Sequence, residues 1–151
     1  MQISVQEADF DSAAEARVLT SGRTDIGAVV SFEGRVRADD GLTALRLEHY
    51  PGMTEAEIAR HVEAAQARWP LLGVRIVHRI GRIGPGARIV LVITAAAHRR
   101  SAFEAAEFLM DYLKTKAPFW KQEQYGDDTH WVDAKISDLD AAHRWQKPDQ
   151  G

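Results

Sequence analysis

The sequence predicts an α+β fold with a mixed, largely antiparallel sheet and helices packed on it. Its 151 residues suffice for one domain with a sizeable core, and 45% hydrophobic with 27% charged residues is typical of globular proteins. Helix patterns are inserted singly among strand patterns rather than in strict alternation, which favours α+β over a parallel α/β sheet. No internal repeat, low-complexity tract or linker divides the sequence. We therefore expect a single domain over residues 1–151, with a frayed tail at residues 146–151.

Alternation of apolar and polar residues predicts two strands in the first third of the chain, and a run rich in β-forming residues predicts a third strand between them. A weaker helical pattern lies between the first and second of these strands, and polar or turn-forming residues separate the later ones. In chain order, the expected elements are a short strand around Ile3 and Val5, a helix over Ser12–Leu19, a central strand over Ile26–Val36, a polar break at residues 38–41, and a half-buried strand over Leu45–Tyr50 ending at Pro51-Gly52.

The clearest helix follows this turn. Thr54 and Glu57 form the spacing of a capping box, and Pro70 stops the pattern. Between them, apolar residues recur at the spacing of one helix face, namely Ile58, Val62, Ala65 and Trp69.

The second half of the chain reads as two strands, a long helix and a final group of short elements. The long helix has an apolar stripe and a predicted cap at Ser101 and Glu104. The stripe consists of Phe103, Ala106, Leu109, Met110 and Leu113. The other expected elements are strands over Val74–Ile80 and Ala87–Ala97 with a turn at Gly81–Gly86 between them, strands over Phe119–Tyr125 and Trp131–Ala134, and a helix over Ser137–Trp145.

Composition excludes several classes of function. The net charge of −3 argues against non-specific binding to nucleic acids or anionic membranes, which needs a basic excess. The chain has no cysteine, so it lacks disulfides, thiolate zinc sites and a cysteine nucleophile. The N-terminal residues do not have the pattern of a signal peptide, and no apolar run approaches the ~20 residues of a membrane span. We expect a cytoplasmic protein.

The stretch YLKTKAPFWKQE places cations among large apolar side chains. Lys114 falls in the last turn of the long helix, where a cation suits the helix dipole, and Lys116 is expected to be solvated. Lys121 follows a bend at Pro118 that could bring it to the same pocket as Lys114. An ammonium near other cations in a partly apolar wall gives up its proton more readily, so it can act as a base or nucleophile.

Two further groups of basic residues suggest anion sites. His98, Arg99 and Arg100 lie at the start of the long helix, where free N–H groups and arginine could form an anion cradle. Arg35 and Arg37 share one face at the end of a strand, and they repel unless an anion or a carboxylate lies between them. The structural alternative is solvation or pairing with acidic residues, which the residues alone favour for His98, Arg99 and Arg100, whereas solvation and an anion site explain Arg35 and Arg37 equally well.

His49 and His78 lie in predicted strands between apolar residues. Metal ligation needs several convergent partners, so we interpret both as structural histidines and expect no metal site. The sequence also lacks the HExxH, Walker, GxGxxG and GxSxG motifs.

Together these residues resemble a known family, the large, catalytic subunits of molybdopterin synthase (the MoaE family). LEHYPGM and YLKTKAPFWK are the most specific segments, and the similarity covers the chain from about Gly27 to Trp145. The matching stretches are GAVVSFEGRVR, LRLEHYPGMTEAEI, RWPLLGVRIVHRIGRIGPG, AHRRSAFEAAEFLMDYLKTKAPFWKQE and WVDA.

The resemblance implies an α/β-hammerhead-type fold and a homodimer that binds a small ubiquitin-like sulfur-carrier subunit (MoaD type) at each end. The carrier's C-terminal Gly-Gly tail, bearing a thiocarboxylate, would enter a pocket of the large subunit. Two sulfur atoms would pass to cyclic pyranopterin monophosphate and form the dithiolene of molybdopterin. The resemblance implies no cofactor beyond this substrate and the sulfur of the partner.

The resemblance also assigns residues. Lys114 and Lys121 are the implied catalytic lysines, with Lys114 central to the attack and Lys121 tuning it or stabilising negative charge. Phe119 and Trp120 would wall the channel for the carrier tail. The implied substrate-binding residues are Arg35, Val36, Arg37, His98, Arg99, Lys114, Lys121, Gln122 and Glu123. Part of the pocket would come from the other protomer, with the loop near Arg37 as the candidate.

The same basic, aromatic groove would also serve a non-catalytic module that binds a ubiquitin-like tail or an anionic ligand. Nucleic-acid binding is disfavoured by the net charge. A sulfurtransferase is the function that the sequence favours.

Overall fold

Eight strands and three helices make up the part of the chain that the structure, a computed structural model, describes, namely residues 2–132 and Trp145. The expected helix over Ser137–Trp145, the frayed tail and the end of the last strand lie outside these residues, apart from Trp145 itself. In chain order the elements are β1 Ile3–Gln6, α1 Ser12–Thr20, β2 Ala28–Arg35, β3 Ala44–His49, α2 Met53–Arg68, β4 Leu71–Arg79, β5 Gly81–Ile83, β6 Arg88–Ala96, α3 Arg99–Thr115, β7 Phe119–Tyr125 and β8 Asp128–Trp131.

The first sheet has the strand order β1-β4-β6-β2. β1 pairs with β4 in parallel, whereas β4–β6 and β6–β2 are antiparallel. The expectation that β2 is a central strand is wrong, since β2 lies at the edge of this sheet. Val29 and Phe32 stay 43% and 41% exposed there. Apolar, β-branched composition indicates a strand but does not distinguish a central strand from an edge strand.

The second sheet is antiparallel throughout and has the order β5-β3-β7-β8. Residues 81–83, expected as part of a turn, instead pair with Leu47, Arg46 and Leu45 of β3 as the short strand β5. Gly81 makes the change of direction with a φ of 80°, a backbone conformation that favours glycine. The turn is confined to residues 84–86. The two sheets together confirm the predicted α+β class with largely antiparallel pairing.

The main core lies between the first sheet and the helices α2 and α3. Ile58 and Val62 of α2 face Leu109 of α3 and Ile76 of β4 in one buried cluster. Phe103 does not belong to the buried stripe, because it is 62% exposed. The buried face of α3 is therefore rotated by about one residue from the predicted stripe. Its buried residues are Ala102, Ala105, Ala106, Phe108, Leu109, Tyr112 and Leu113. No helix within residues 2–132 is long and apolar enough to cross a membrane.

The start of α2 differs from the predicted capping box at Thr54 and Glu57. Gly52 is the N-cap, and its backbone N–H donates to Oε2 of Glu55 at 2.8 Å. Thr54 is fully buried inside the first turn, and its hydroxyl donates to the carbonyl oxygen of Pro118 at 3.2 Å. Thr54 therefore joins the start of α2 to the segment between α3 and β7.

The predicted cap of α3 at Ser101 and Glu104 is also wrong. The helix begins after His98, which makes no side-chain capping hydrogen bond. Glu104 instead accepts a hydrogen bond from Nε1 of Trp69 at 3.0 Å, and so links α3 to the end of α2. The local pattern predicted that the Glu104 carboxylate caps the helix, but in the structure it bonds to a residue far away in the sequence.

Candidate active site

A cavity of about 620 Å³ is lined by residues of both sheets and of the last turn of α3. Polar and apolar surface contribute about equally to its lining, and several cationic side chains enter it. The first sheet contributes the end of β2, His78 of β4 and the start of β6, while the second contributes β3 and β7. The cavity thus forms where the ends of strands from two sheets meet a helix C-terminus.

Strand alternation in β7 decides which side chains of the family motif face the cavity. Phe119, Lys121, Glu123 and Tyr125 all line it. Successive residues of a strand point to opposite faces, so Trp120 and Gln122 lie on the other face of β7. Neither contributes to the cavity of one chain.

Trp120 is 40% exposed, and its ring makes an edge contact with Tyr50 at a centroid distance of 4.1 Å. The structure therefore separates the two predicted channel residues, with Phe119 inside the cavity and Trp120 on the outer surface of the sheet.

Lys114 and Lys121 line the same cavity. Lys114 is the basic residue of the last turn of α3, and the helix ends directly after it at Thr115. The chain then reverses through Pro118 into β7, where Lys121 pairs with Leu47 of β3. The convergence predicted for the two lysines is what the fold provides.

Arg35 and Arg37 also line the cavity, and each is held by a carboxylate. Nε of Arg35 lies 2.5 Å from Oε2 of Glu33, and Nε of Arg37 lies 2.5 Å from Oδ2 of Asp39. Val36 lies between the two arginines and is buried against the cavity wall. The two carboxylates offset the repulsion between the two guanidinium groups at this strand end.

The pairing of Glu33 is reinforced from a third element. The hydroxyl of Ser12, at the start of α1, donates to Oε1 of Glu33. This hydrogen bond, foremost, and the Arg35 guanidinium hold the pKa of Glu33 below its ordinary value. Glu33 is therefore an ionised anchor beside the cavity.

His78 is a cavity residue that the sequence interpretation missed as part of the site. Its Nδ1 lies 2.9 Å from the carbonyl oxygen of Arg79, and because a carbonyl only accepts, Nδ1 carries the proton. Its ring stacks on Phe119 at a centroid distance of 3.9 Å. Burial, with smaller contributions from Lys114 and His49, lowers the pKa of His78 to about 4.

The strand positions of His78 and Tyr125 indicate from the sequence that both side chains point inward. His78 follows Val74 and Ile76 at strand spacing, and both of these are buried in the main core, so the same parity places His78 inward. Tyr125 has the parity of Lys121 in β7 and lines the cavity as well. Its hydroxyl donates to Oε2 of Glu123 at 2.5 Å, which raises the pKa of Tyr125 and fixes the carboxylate.

The structure does not bring His98 and Arg99 into the cavity of the same chain. They lie at the first turn of α3, whereas Lys114 lies at its last turn. At 1.5 Å per residue this separation is about 22 Å along the helix axis. Arg100 forms an ion pair at 2.7 Å with Glu104, four residues further along the helix. For this member of the basic group, the structural alternative is therefore correct.

Comparison with known proteins decides the family. The family model described as MoaE protein matches residues 5–116, well over half of the chain. The chain belongs to the MoaE family. Its MoaE relatives include the molybdopterin synthase catalytic subunit of Mesorhizobium japonicum, 57% identical over 147 residues that cover 95% of this chain and 92% of that protein. The subunit of the same name from Brucella melitensis biotype 1 is 53% identical over 151 residues, covering 98% and 93% of the two chains.

A solved structure shows that the fold is that of MoaE proteins as well. The molybdopterin biosynthesis MoaE protein from Burkholderia ambifaria superposes with a TM-score of 0.82 at 49% identity, covering 95% of this chain and 97% of that chain. The two mostly antiparallel sheets and the three helices found in residues 2–132 of this MoaE-family chain are therefore the architecture that the sequence motifs imply.

The composition of the cavity suits an anionic ligand with an apolar ring system. Two ammonium groups and two guanidinium groups supply positive charge, while the face of Phe119 and the side chains of Leu45 and Leu47 supply apolar surface. Within residues 2–132 and Trp145, no group of three or more histidine or acidic side chains is arranged to hold a metal ion. Nε2 of His49, for example, has a single acidic neighbour within reach, Oε1 of Glu55 at 3.5 Å, among the described residues.

Proposed function

We propose that this MoaE-family chain transfers two sulfur atoms to cyclic pyranopterin monophosphate and so forms the dithiolene of molybdopterin. The sulfur comes from the thiocarboxylated C-terminus of a small, ubiquitin-like sulfur-carrier protein of the MoaD type. The observation that carries the proposal is the shared cavity of Lys114 and Lys121, with Arg35 and Arg37 at its edge. The name of its relatives, molybdopterin synthase catalytic subunit, agrees with this chemistry and with the need for a second subunit.

The arginines provide the binding step in this proposal. Glu33 and Asp39 hold the guanidinium groups of Arg35 and Arg37 in place before the substrate binds. The substrate phosphate then replaces these carboxylates as their partner. Arg37 and Asp39 are exposed, so their ion pair contributes little in water and is readily exchanged for the anionic phosphate of the ligand. Phosphate also matches the fork of arginine N–H groups.

The lysines provide the chemical step. The thiocarboxylate sulfur attacks a carbon of the substrate and forms a C–S bond as a C–O bond of that carbon breaks, which in one of the two transfers opens the cyclic phosphate. Once this thioester has formed, a water molecule hydrolyses its acyl–sulfur bond, so the sulfur stays on the substrate and the carrier tail leaves as a carboxylate. Lys114 assists this attack by proton transfer or through a transient adduct, and Lys121 stabilises the negative charge that develops. Phe119 and the apolar walls keep water away from the reacting atoms. The chain needs no cofactor of its own in this scheme.

In a homodimer, His98 and Arg99 of one protomer contribute to substrate binding in the cavity of the other protomer. They are too far along α3 to reach the cavity of their own chain, so substrate binding by them requires a second protomer. Trp120 and Gln122 likewise require a second chain at the outer face of β7 to take part in the site. The assignments of these four residues, and the cytoplasmic location, stay predictions.

Reconstitution tests the proposal. The purified chain is mixed with thiocarboxylated carrier and cyclic pyranopterin monophosphate, and dithiolene formation is measured together with carrier binding. We expect product with two carriers consumed per substrate. Tight carrier binding without product would instead identify a non-catalytic binding module, and the absence of both would reject the proposal.

Mixing two inactive variants tests the dimer. We expect Arg99→Ala and Lys114→Ala protomers each to be weakly active alone. If Arg99 serves the partner's cavity, mixed dimers contain one cavity with both side chains intact, and part of the activity returns. No recovery after subunit exchange would place Arg99 outside the site.

A further inference from the structure

A donor and an acceptor that line the cavity have no hydrogen-bond partner among residues 2–132 and Trp145. The donor is the ammonium of Lys114, which makes no ion pair there either, in contrast to Arg35 and Arg37. The acceptor is Nε2 of His78, the unprotonated nitrogen of a ring whose Nδ1 donates to the carbonyl of Arg79. A lysine has three donor hydrogens and no acceptor, so the two groups are complementary.

The ring of His78 is a rigid acceptor. The hydrogen bond of Nδ1 to Arg79 at 2.9 Å fixes the tautomer, and the stack on Phe119, with an interplanar angle of 17°, fixes the plane. The side chain of Lys114 is the opposite, since a four-carbon flexible stem samples many positions of its ammonium unless something holds it. A fixed acceptor beside a mobile donor restricts the donor.

His78 is poorly suited to act as the base itself. Burial, with cationic Lys114 on α3 and His49 on β3 nearby, lowers its pKa to about 4, so the ring stays neutral near pH 7. Lys121 of β7 adds a further positive charge to the same cavity. A ring in these surroundings accepts hydrogen bonds without taking up the proton.

We propose that His78 is a positioning residue for Lys114: the flexible lysine stem brings the ammonium, which is unbonded among the described residues, to Nε2 of His78, which accepts a hydrogen bond from it and holds it towards the cavity. This inference rests on the proposed function, in which Lys114 assists the sulfur transfer. His78 touches no reacting atom in this role. The competing role is a direct hydrogen bond from a substrate N–H to Nε2.

Kinetics of three variants separate these roles. His78→Phe keeps the aromatic stack on Phe119 and removes the acceptor, whereas His78→Gln keeps an acceptor oxygen. The matched control is His61→Phe, because His61 also stacks on an aromatic ring, that of Tyr112 at 3.4 Å, and lines a different cavity.

For positioning, we expect His78→Phe to lower kcat about 10- to 100-fold while KM changes less than about threefold. His78→Gln regains part of the loss, and His61→Phe stays close to the wild type. A raised KM at unchanged kcat would overturn positioning in favour of substrate contact. Wild-type kcat and KM in His78→Phe would remove His78 from the site altogether.

A spectroscopic measurement needs neither catalysis nor a change at His78. The ¹⁵N resonance of Nε2 in His78 reports whether this nitrogen accepts a hydrogen bond. We expect Lys114→Ala to move it, and Lys116→Ala, one residue beyond the end of α3, to leave it in place. An unchanged resonance in Lys114→Ala would contradict the inference even if the wild type makes dithiolene, whereas a wild type without product would count against the proposed function alone.

Discussion

Lys114 and Lys121 line one cavity, although the first belongs to the end of α3 and the second to β7 of the second sheet. The bend that joins them is itself fixed, since the buried hydroxyl of Thr54 donates to the carbonyl oxygen of Pro118 at 3.2 Å. The two lysines therefore line the same cavity because α2 is tied to the segment that joins α3 to β7.

The first prediction concerns the two lysines at the end of α3. Lys114→Ala should lower kcat by about 10² to 10⁴, the range typical of a lost acid–base group. Lys116→Ala, which removes the same charge from the C-cap of the helix and not from the cavity, should stay within about twofold of the wild type. Single-turnover sulfur transfer measures both, and equal losses would show that charge at the helix end, rather than the cavity, matters.

The second prediction uses the alternation of β7. Lys121→Gln should lower kcat about 10- to 1,000-fold, because its ammonium faces the cavity and stabilises developing charge. Gln122→Ala, on the opposite face, should leave the reaction of the purified subunits within about threefold. A strong effect of Gln122→Ala would mean that a second chain completes the site at the outer face.

The third prediction concerns phosphate binding. Arg37→Ala should raise KM for the substrate about 10- to 100-fold with a smaller effect on kcat, as expected for a lost charge-assisted hydrogen bond that is made before the reaction. Arg23→Ala is a suitable control, because Arg23 also pairs with a carboxylate, Asp25 at 2.8 Å, and does not line the cavity. Steady-state kinetics at fixed ionic strength measure both, and an unchanged KM in Arg37→Ala would remove it from the phosphate site.

The fourth prediction is a loss of stability in acid that arises from His78. Its folded pKa of about 4 lies below the ordinary histidine pKa of 6.5, so the unfolded state binds more protons between these values and stability falls as the pH decreases. Between about pH 7.5 and pH 5 this group alone removes roughly 2 kcal/mol of the free energy of unfolding. Urea unfolding of wild type and His78→Phe at both pH values measures it as the difference between their pH dependences. Parallel pH dependences would show that the ring titrates normally in the fold.

The fifth prediction concerns the approach of β2 to the start of α3. A Cβ at Gly27 would lie 2.1 Å from the carbonyl oxygen of Ala97, so Gly27→Ala forces backbone atoms apart. We expect a loss of about 1–3 kcal/mol in the free energy of unfolding. Gly84→Ala is the matched control, since nothing lies within 4 Å of its Cβ position and its backbone needs no positive φ. Equal stability of the two variants in urea unfolding would contradict this packing.

Local sequence pattern determined most of the elements. Alternation located β1 and β3, helical spacing located α2 and α3, and Pro70 marked the end of α2. These signals act over a few residues, so they do not depend on the rest of the chain. The helix caps were harder to predict. Glu55 makes the local contact of a capping box, but the N-cap is Gly52, which lacks the hydroxyl that the pattern looks for, and Glu104 has a distant partner in Trp69.

The candidate site was predicted in part. The motif identified Lys114 and Lys121, and charge on one strand face identified Arg35 and Arg37, all of which line the cavity. A linear motif contains no information about which face of a strand is covered. Gln122 and Trp120 belong to the same run as Lys121, yet only the sheet decides that they point away from it.

By itself, the sequence determined the family, the fold class and the residue types available for chemistry, since these follow from composition, periodicity and motif. Tertiary structure decided that β2 lies at the edge of its sheet and that the neutral ring of His78 lines the cavity. It also decided that His98 and Arg99 lie at the end of α3 that is far from the cavity. The physical reason is that sequence fixes which groups are present and how they alternate. Burial, distance and charge pairing arise only when segments far apart in the chain pack together.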